Sequence, residues 1–430
     1  MTLVGFKSFP LPLAQLALDA VLKCGQSFRW STIAFPLSGD KELEDSSPSE
    51  QVEYRLCLRD RVVCLRQSFD TLYYRSIFPD PQPTSITLPI REAETLKWLK
   101  DYFQLDVDLI SLYREWGMKD KVFAKFRDRF EGIRILRQDP WENLISFICS
   151  SNNNISRITK MVQNLCIHYS SPLISIKHPF LPSETLTYHP FPTPSVLSRS
   201  GVALHLRSLG FGYRAEFIQR TAKMLVDAHG IGCSDPSSPQ EDPELWLQGL
   251  RGLSTADARE ELLKFVGVGR KVADCILLMS LDKKEVIPVD THVYQIAVKH
   301  YGMKGSYGGK TNMTPKLYED INSRFLSIWG DYAGWAHSVL FTADLKFFSN
   351  YGSAISSTEK SPAATLHNKK NSPTSQSGSP VISPSARRKK RLHRQVDLVE
   401  PEFPTTPKSC KETTEHMNLV DRVKKRRRNV

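Results

Sequence analysis

Apolar residues recur along this chain with two different periods. Up to about residue 105 they tend to alternate with polar ones. Residues 51–65 (QVEYRLCLRDRVVCL) and 72–78 (LYYRSIF) are short, rich in β-branched or aromatic residues and bounded by turn formers, which predicts strands joined by turns. Residues 35–51 are polar and Ser-rich and read as a loop. From about Asp106 the spacing becomes helical. The runs 109–113, 121–130, 202–209, 214–230, 242–250, 255–265, 271–281, 318–329 and 332–341 are candidate helices. Another starts at Asp139-Pro140, where Asp suits the cap and Pro the first turn, and ends near Ser150. Residues 171–200 hold many Pro and Ser and read as an excursion, and 302–314 as a Gly-rich loop. After Ser349 the pattern gives way to Ser, Pro, Thr and Lys, with Tyr351 and Phe403 as the aromatic residues, a composition that predicts disorder. The expected organisation is α+β: an N-terminal antiparallel sheet domain over 1–105, a mostly helical domain over 106–349 and a basic tail over 350–430.

The stretch LLKFVGVGRKVADCILLMSLDKKEVIPVDTHVYQIAVK, residues 262–299, concentrates the candidate chemistry. Gly267 and Gly269 flank one Val between two helical runs. Such a hairpin can turn backbone N–H groups outward beside a helix N-terminus, which suits a phosphate. Lys271 follows at the start of the second helix, and Pro288-Val289-Asp290 opens a third. An amine and a carboxylate thus stand at two helix starts beside one phosphate-binding turn. Taken alone, Lys271 reads more readily as a surface lysine and Cys275 as a small core residue, and Asp290 reads as a helix cap.

Net charge changes the picture only for the tail. Residues 351–430 carry a net +10, whereas 1–350 carry +2, so a nucleic-acid surface on the folded part must gather its cations on one face. RRKKR at 387–391 and KKRRR at 424–428 read as nuclear localisation signals, and Ser-Pro pairs at 361, 372, 379 and 383 as possible phosphorylation sites. The eight cysteines include no CxxC pair, which predicts neither a zinc site nor an iron–sulfur cluster. No apolar run is long enough for a membrane span, and the N-terminus reads as neither a secretory nor a transit signal.

Six blocks in order resemble the eukaryotic 8-oxoguanine DNA glycosylases of the helix-hairpin-helix Gly/Pro-Asp superfamily. They are GQSFRW at 25–30, DPWENLISFICSSNNNISRI at 139–158, LGFGYRAEFI at 209–218, GVGRKVADCILLMSLDK at 267–283, PVDTH at 288–292 and WGDYAGWAHSVLFTADL at 329–345. The resemblance implies an N-terminal sheet like half a TATA-binding fold. It also implies a monomer without cofactor that removes 8-oxoguanine opposite cytosine from duplex DNA and then cleaves the abasic site. Under it, Lys271 is the nucleophile that forms a Schiff base and Asp290 the carboxylate that assists it. Cys275 and Phe341 sandwich the flipped base, and the carbonyl of Gly25 reads its N7–H. Asn152 fills the gap left in the duplex, Tyr213 is a wedge, and Arg157 and Arg214 face the estranged cytosine. His292 and the N–H groups of Gly267 and Gly269 hold phosphate. His337 departs from the pattern, because the family places Gln there. A neutral imidazole offers one donor and one acceptor on separated nitrogens, where an amide offers both on one group.

Overall fold

The computed structural model describes residues 5–35, 52–181, 183–230, 240–305 and 312–352. They fall within one compact unit, Met1–Ser361. Both basic clusters, the Ser-Pro pairs and most of the expected Ser-rich loop lie outside the described residues.

The alternating N-terminal segments form an antiparallel sheet of β1 (Lys7–Pro10), β2 (Ser31–Ala34), β3 (Val52–Cys57), β4 (Val62–Gln67) and β5 (Thr71–Ile77), in the order β1-β5-β4-β3-β2. Period two decides which side chain goes where. Leu56, Val63, Leu65, Leu72 and Tyr74 face α1 (Leu18–Val21) and α2 (Leu88–Tyr102). Cys57, Val62 and Cys64 face the other way. That second face is covered by the region expected to be an irregular excursion. It is in fact a hairpin, β6 (Ile174–Lys177) with β7 (Thr185–Tyr188), and Tyr188 packs onto Cys57, Val62 and Cys64. The sequence there alternates too weakly among its prolines to show the pairing.

The remainder is helical. α3 (Leu109–Lys119) is longer than its apolar spacing suggested, because Asp108 caps it and the helix continues through Trp116. α4 (Lys121–Phe126) is correspondingly shorter. α5 (Pro140–Ser150) begins as expected, with Asp139 accepting from the N–H of Glu142 at 2.9 Å. α6 (Ile155–Tyr169) was not anticipated. The Asn run before it reads as loop, yet Asn154 is its cap, and Ile158, Met161, Val162 and Leu165 form its buried face. Then follow α7 (Pro194–Leu197), α8 (Val202–Ser208), α9 (Arg214–His229), α10 (Asp242–Gly249), α11 (Thr255–Leu263), α12 (Arg270–Ser280), α13 (Thr291–Tyr301), α14 (Pro315–Trp329) and α15 (Ala333–Asp344).

Two apolar cores meet along α12. Ala273, Cys275, Ile276 and Leu277 belong to the core shared with α5, α6 and α9. Leu278 belongs to the core of α3, α13, α14 and α15, which also takes in Ala17, Ala20 and Cys24 from the N-terminal segment. Each buried Ile or Leu among them contributes about 1.5–3 kcal/mol by burial. A helix gripped from two sides is a rigid mount for whatever stands at its first turn.

Candidate active site

The hairpin between α11 and α12 is shaped by its glycines. Gly267 has φ +85°, and a Cβ there would lie 2.5 Å from the ring of Phe217 on α9. Gly269 is extended and caps α12, and a Cβ on it would meet nothing within 4 Å. The first position therefore answers to packing, and the second leaves open space at the N–H groups of a helix start. Val268 is buried, and Thr221 donates to the carbonyl of Val266 at 3.0 Å, so the turn is pinned to α9.

Lys271 is the second residue of α12 and is half-buried. Its amine stands 5.2 Å from the centroid of the Phe147 ring, which contributes a negative face. Asp290 caps α13, accepting from the N–H groups of His292 and Val293 at 2.9 and 3.0 Å. Both line one cleft of about 1170 Å³, together with Asn152, Gly267, Gly269 and His292. Burial works to strip the proton from Lys271, as the sequence suggested. Negative charge on Cys275 and Asp290 outweighs it, and the net direction is upward. Burial also raises the Cys275 thiol to about 11, and the Lys271 amine beside it pulls it back down. The free protein thus holds Lys271 as an ammonium, and the nucleophile must be released after DNA arrives.

Cys275 is fully buried one turn after Lys271. On α15, Phe341 is half-buried and His337 lies one turn earlier, their rings 6.0 Å apart and tilted by 45°. His337 is 6% exposed, and neither ring nitrogen has a partner of hydrogen-bonding geometry. Burial lowers it to about 4, opposed by the carboxylate of Asp290 and the nearby Gly334 carbonyl. It is a neutral imidazole with both nitrogens unspent, which costs roughly 1–3 kcal/mol for each buried group left unpaired. Gly25 has φ +90°, and a Cβ there would lie 2.8 Å from Ile155 at the start of α6. The next residue fixes its loop: the Gln26 amide donates to the carbonyl of Arg134 and accepts from the N–H of Leu136, while Gln138 donates to the Gln26 carbonyl at 2.7 Å. Cys24 packs in the core of α15. None of Gly25, Cys275, His337 and Phe341 is among the residues that line the open cleft.

The residues expected to meet the opposite strand gather at the turn between α5 and α6. Asn152 is exposed with φ +48°. Tyr213 is half-exposed and donates to the carbonyl of Ser151 at 3.0 Å. Arg157 is exposed and donates to the carbonyl of Gly210 at 3.1 Å. Arg214 differs from expectation. It is buried, its guanidinium lies 4.6 Å from the centroid of the Tyr213 ring, and its donors serve the carbonyls of Ser151 and Asn152. In the free protein it clamps the Asn152 turn rather than presenting donors outward. His292 is half-exposed and bonded through Nδ1 to Asp344 at 3.1 Å, a bond that raises its pKa.

Phe147 and Gln26 were not singled out in the sequence. Phe147 sits inside an apolar run with nothing to mark it, whereas Gln26 is a polar residue at a position that turns out buried, a signal that only depth reveals. Among the described residues no three His, Cys, Asp or Glu side chains gather as a metal site would require, and no helix is long and apolar enough to cross a membrane.

Residues 8–144 match the family model for the 8-oxoguanine DNA glycosylase N-terminal domain, and 145–320 the model for the HhH-GPD superfamily of base excision DNA repair proteins. The chain is 36% identical to an N-glycosylase/DNA lyase of Saccharomyces cerevisiae, over 79% of this chain and 86% of that protein. It is 35% identical to the N-glycosylase/DNA lyase OGG1 of Arabidopsis thaliana, over 79% and 80%. Its fold is similar to that of the Clostridium acetobutylicum 8-oxoguanine glycosylase/lyase in complex with double-stranded DNA containing cytosine opposite 8-oxoguanine. That likeness has a TM-score of 0.55 at 26% identity, over 76% of this chain and 91% of the other. The chain belongs to the eukaryotic 8-oxoguanine DNA glycosylase family, the bifunctional N-glycosylase/DNA lyases of the helix-hairpin-helix Gly/Pro-Asp superfamily.

Proposed function

We propose that this chain removes 8-oxoguanine from duplex DNA when cytosine stands opposite, and that Lys271 performs both steps through a Schiff base. The observation that carries the reading is the convergence of the Lys271 amine and the Asp290 carboxylate on one cleft beside the Gly267–Gly269 turn. The amine of Lys271 bonds to the sugar C1′ as the bond from C1′ to the base breaks, and the electron pair leaves with the base. The ammonium gives its proton to the departing base as its amine attacks, and Asp290, remaining a carboxylate, offsets positive charge growing on the sugar. Opening of the sugar ring gives the iminium, and loss of a C2′ proton then expels the 3′ phosphate. Cys275 and Phe341 hold the extruded base, and the carbonyl of Gly25 accepts from its N7–H, a proton that guanine lacks. His292, raised by Asp344, favours a backbone phosphate. Asn152 and Tyr213 occupy the gap, with Arg157 toward the partner base. Arg214 joins it by releasing Ser151.

The same reading makes the protein a monomer without an iron–sulfur cluster, since clustered cysteines are missing, and places it in the nucleus on the strength of RRKKR and KKRRR. The test is borohydride trapping on 8-oxoguanine duplexes with each of the four bases opposite. We expect a covalent adduct that forms fastest opposite cytosine and is lost in Lys271→Gln. An undiminished adduct in that variant removes Lys271 from the chemistry, and equal rates opposite all four bases remove the cytosine reading.

A further inference from the structure

Asp274 lies between Lys271 and Cys275 in sequence, fully buried, and the chemistry above does not use it. Its carboxylate accepts from Arg259 at 2.7 Å, from Arg270 at 3.1 Å and from the hydroxyl of Tyr318 at 2.6 Å. Tyr318 comes from α14. Its oxygen in turn accepts from the backbone N–H of Val289 at 3.1 Å, the residue just before Asp290. Burial and the adjacent carboxylate keep the Tyr318 hydroxyl protonated, so the direction of both bonds is settled: it donates to Asp274 and accepts from Val289. The ring is held independently, with the Arg270 guanidinium 5.0 Å from its centroid. Two hydrogen bonds thus run from the helix that carries the amine to the turn that carries the carboxylate.

Burial alone does not demand this. A carboxylate taken fully out of water costs several kcal/mol unless well paired, and apolar residues could fill the same volume. What the arrangement adds is registry. Without the Tyr318 hydroxyl, the N–H of Val289 loses its partner, Oδ2 of Asp274 keeps only Arg270, and the segment leading into Asp290 is free to shift along α14. Reacting groups tolerate little such displacement before rates fall. We propose that Asp274 and Tyr318 are positioning residues, which set the distance between the Lys271 amine and the Asp290 carboxylate without touching DNA-reacting atoms. The inference rests on the reading of Lys271 as nucleophile.

The groups that face Lys271 are Cys275 on its own helix, Asp290 at the start of α13 and His337 on α15. Cys275 and Asp290 both favour the ammonium, and of the two it is Asp290 that sits on the segment Tyr318 holds. Moving it away must lower the pKa of Lys271 and slide the rate-versus-pH limb toward acid. The experiment uses the full chain and a duplex with a preformed abasic site, so that base recognition plays no part. Trapping in the parent and its loss in Lys271→Gln establish the nucleophile; no trapping in the parent sinks that reading and this one together. With the nucleophile established, Tyr318→Phe decides. We expect single-turnover lyase rate to fall about tenfold or more, affinity for a duplex bearing a stable abasic analogue to stay within about twofold, and the limb to move to lower pH. Asp274→Asn, which keeps an acceptor for Tyr318, should show a smaller loss in the same direction. A Tyr318→Phe enzyme with parental rate and limb overturns the proposal whatever its melting temperature. So does one that loses rate and affinity in parallel with no displacement of the limb.

Discussion

At His337 the resemblance read from the sequence breaks, and the structure changes what that departure would mean. From the sequence, an imidazole at the edge of the base promises a pH switch near its ordinary range. In the fold it is buried without a hydrogen-bonding partner and lowered to about 4. It is therefore neutral through the range in which the enzyme can be assayed. Its folded value lies below its unfolded one, so the unfolded chain binds the proton more readily. Stability is then intact above about pH 6.5 and is lost as pH falls from there toward 4, by about 1.4 kcal/mol for each tenfold difference in proton affinity between the two states. We expect His337→Gln to leave the shape of the excision pH profile unchanged above about pH 5. The same variant should lose less in thermal stability than the parent between about pH 7 and 4.5. An acid limb in the parent that the substitution abolishes would show that DNA binding brings His337 back into titration. The residue types at 271, 275, 290 and 337 were all legible in the sequence. What was not legible was their charge state. Lys271 illustrates it, since burial alone argues for a neutral amine, and the partners that reverse the direction are Cys275, one turn along its own helix, and Asp290, set opposite by a different helix.

At the scale of the element, the hairpin was legible because glycine is informative wherever a Cβ cannot fit. The two glycines nevertheless do different work. Gly267 needs its left-handed backbone and its missing Cβ, because Phe217 occupies the space. Gly269 needs neither for the fold. Gly267→Ala should cost roughly 1–3 kcal/mol of stability, visible in chemical denaturation, from backbone strain and displacement of Phe217. Gly269→Ala should melt like the parent and bind duplex DNA more weakly, because its methyl group stands where a phosphate would approach. Equal affinity for Gly269→Ala and parent, measured at one salt concentration, would take the phosphate away from this turn. The elements that escaped notice have a common physical cause. α6 hides behind three asparagines, of which Asn154 is a cap rather than a loop residue, and the β6–β7 hairpin draws its stability from the sheet face beneath it. Local pattern does not report a partner supplied by another part of the chain.

For the whole molecule, the composition shift at Ser349 marks the beginning of the tail closely but not the end of the fold. Phe348 is 1% exposed and belongs to the core of α3, α13, α14 and α15. Tyr351 stacks on Phe130, with centroids 5.6 Å apart, and donates to Asp19 of α1 at 3.0 Å. Arg129 donates to the carbonyls of Phe348, Ser349 and Tyr351. This clasp ties the last described residues to the N-terminal segment, a connection across 332 positions that no local reading can register. Two truncations separate the parts. A chain ending at Ser361 keeps the clasp and should melt with the parent and excise the base at the parental single-turnover rate. One ending at Leu345 loses Phe348 and Tyr351 and leaves a cavity against Phe130, at a cost of roughly 3–5 kcal/mol. The net +10 of residues 351–430 acts elsewhere. Each phosphate neutralised by a tail cation steepens the dependence of affinity on salt, with a slope near 0.9 per contact on duplex DNA. The chain ending at Ser361 should therefore bind undamaged duplex with a shallower salt slope and, lacking RRKKR and KKRRR, fail to accumulate in nuclei. Melting curves of the two truncations, paired with binding of undamaged duplex across a salt series, read both halves of the argument. If the longer truncation melts as early as the shorter, the clasp is not what holds the end of the fold. If the salt slope is unchanged while nuclear accumulation is lost, the tail is an address and does not touch DNA.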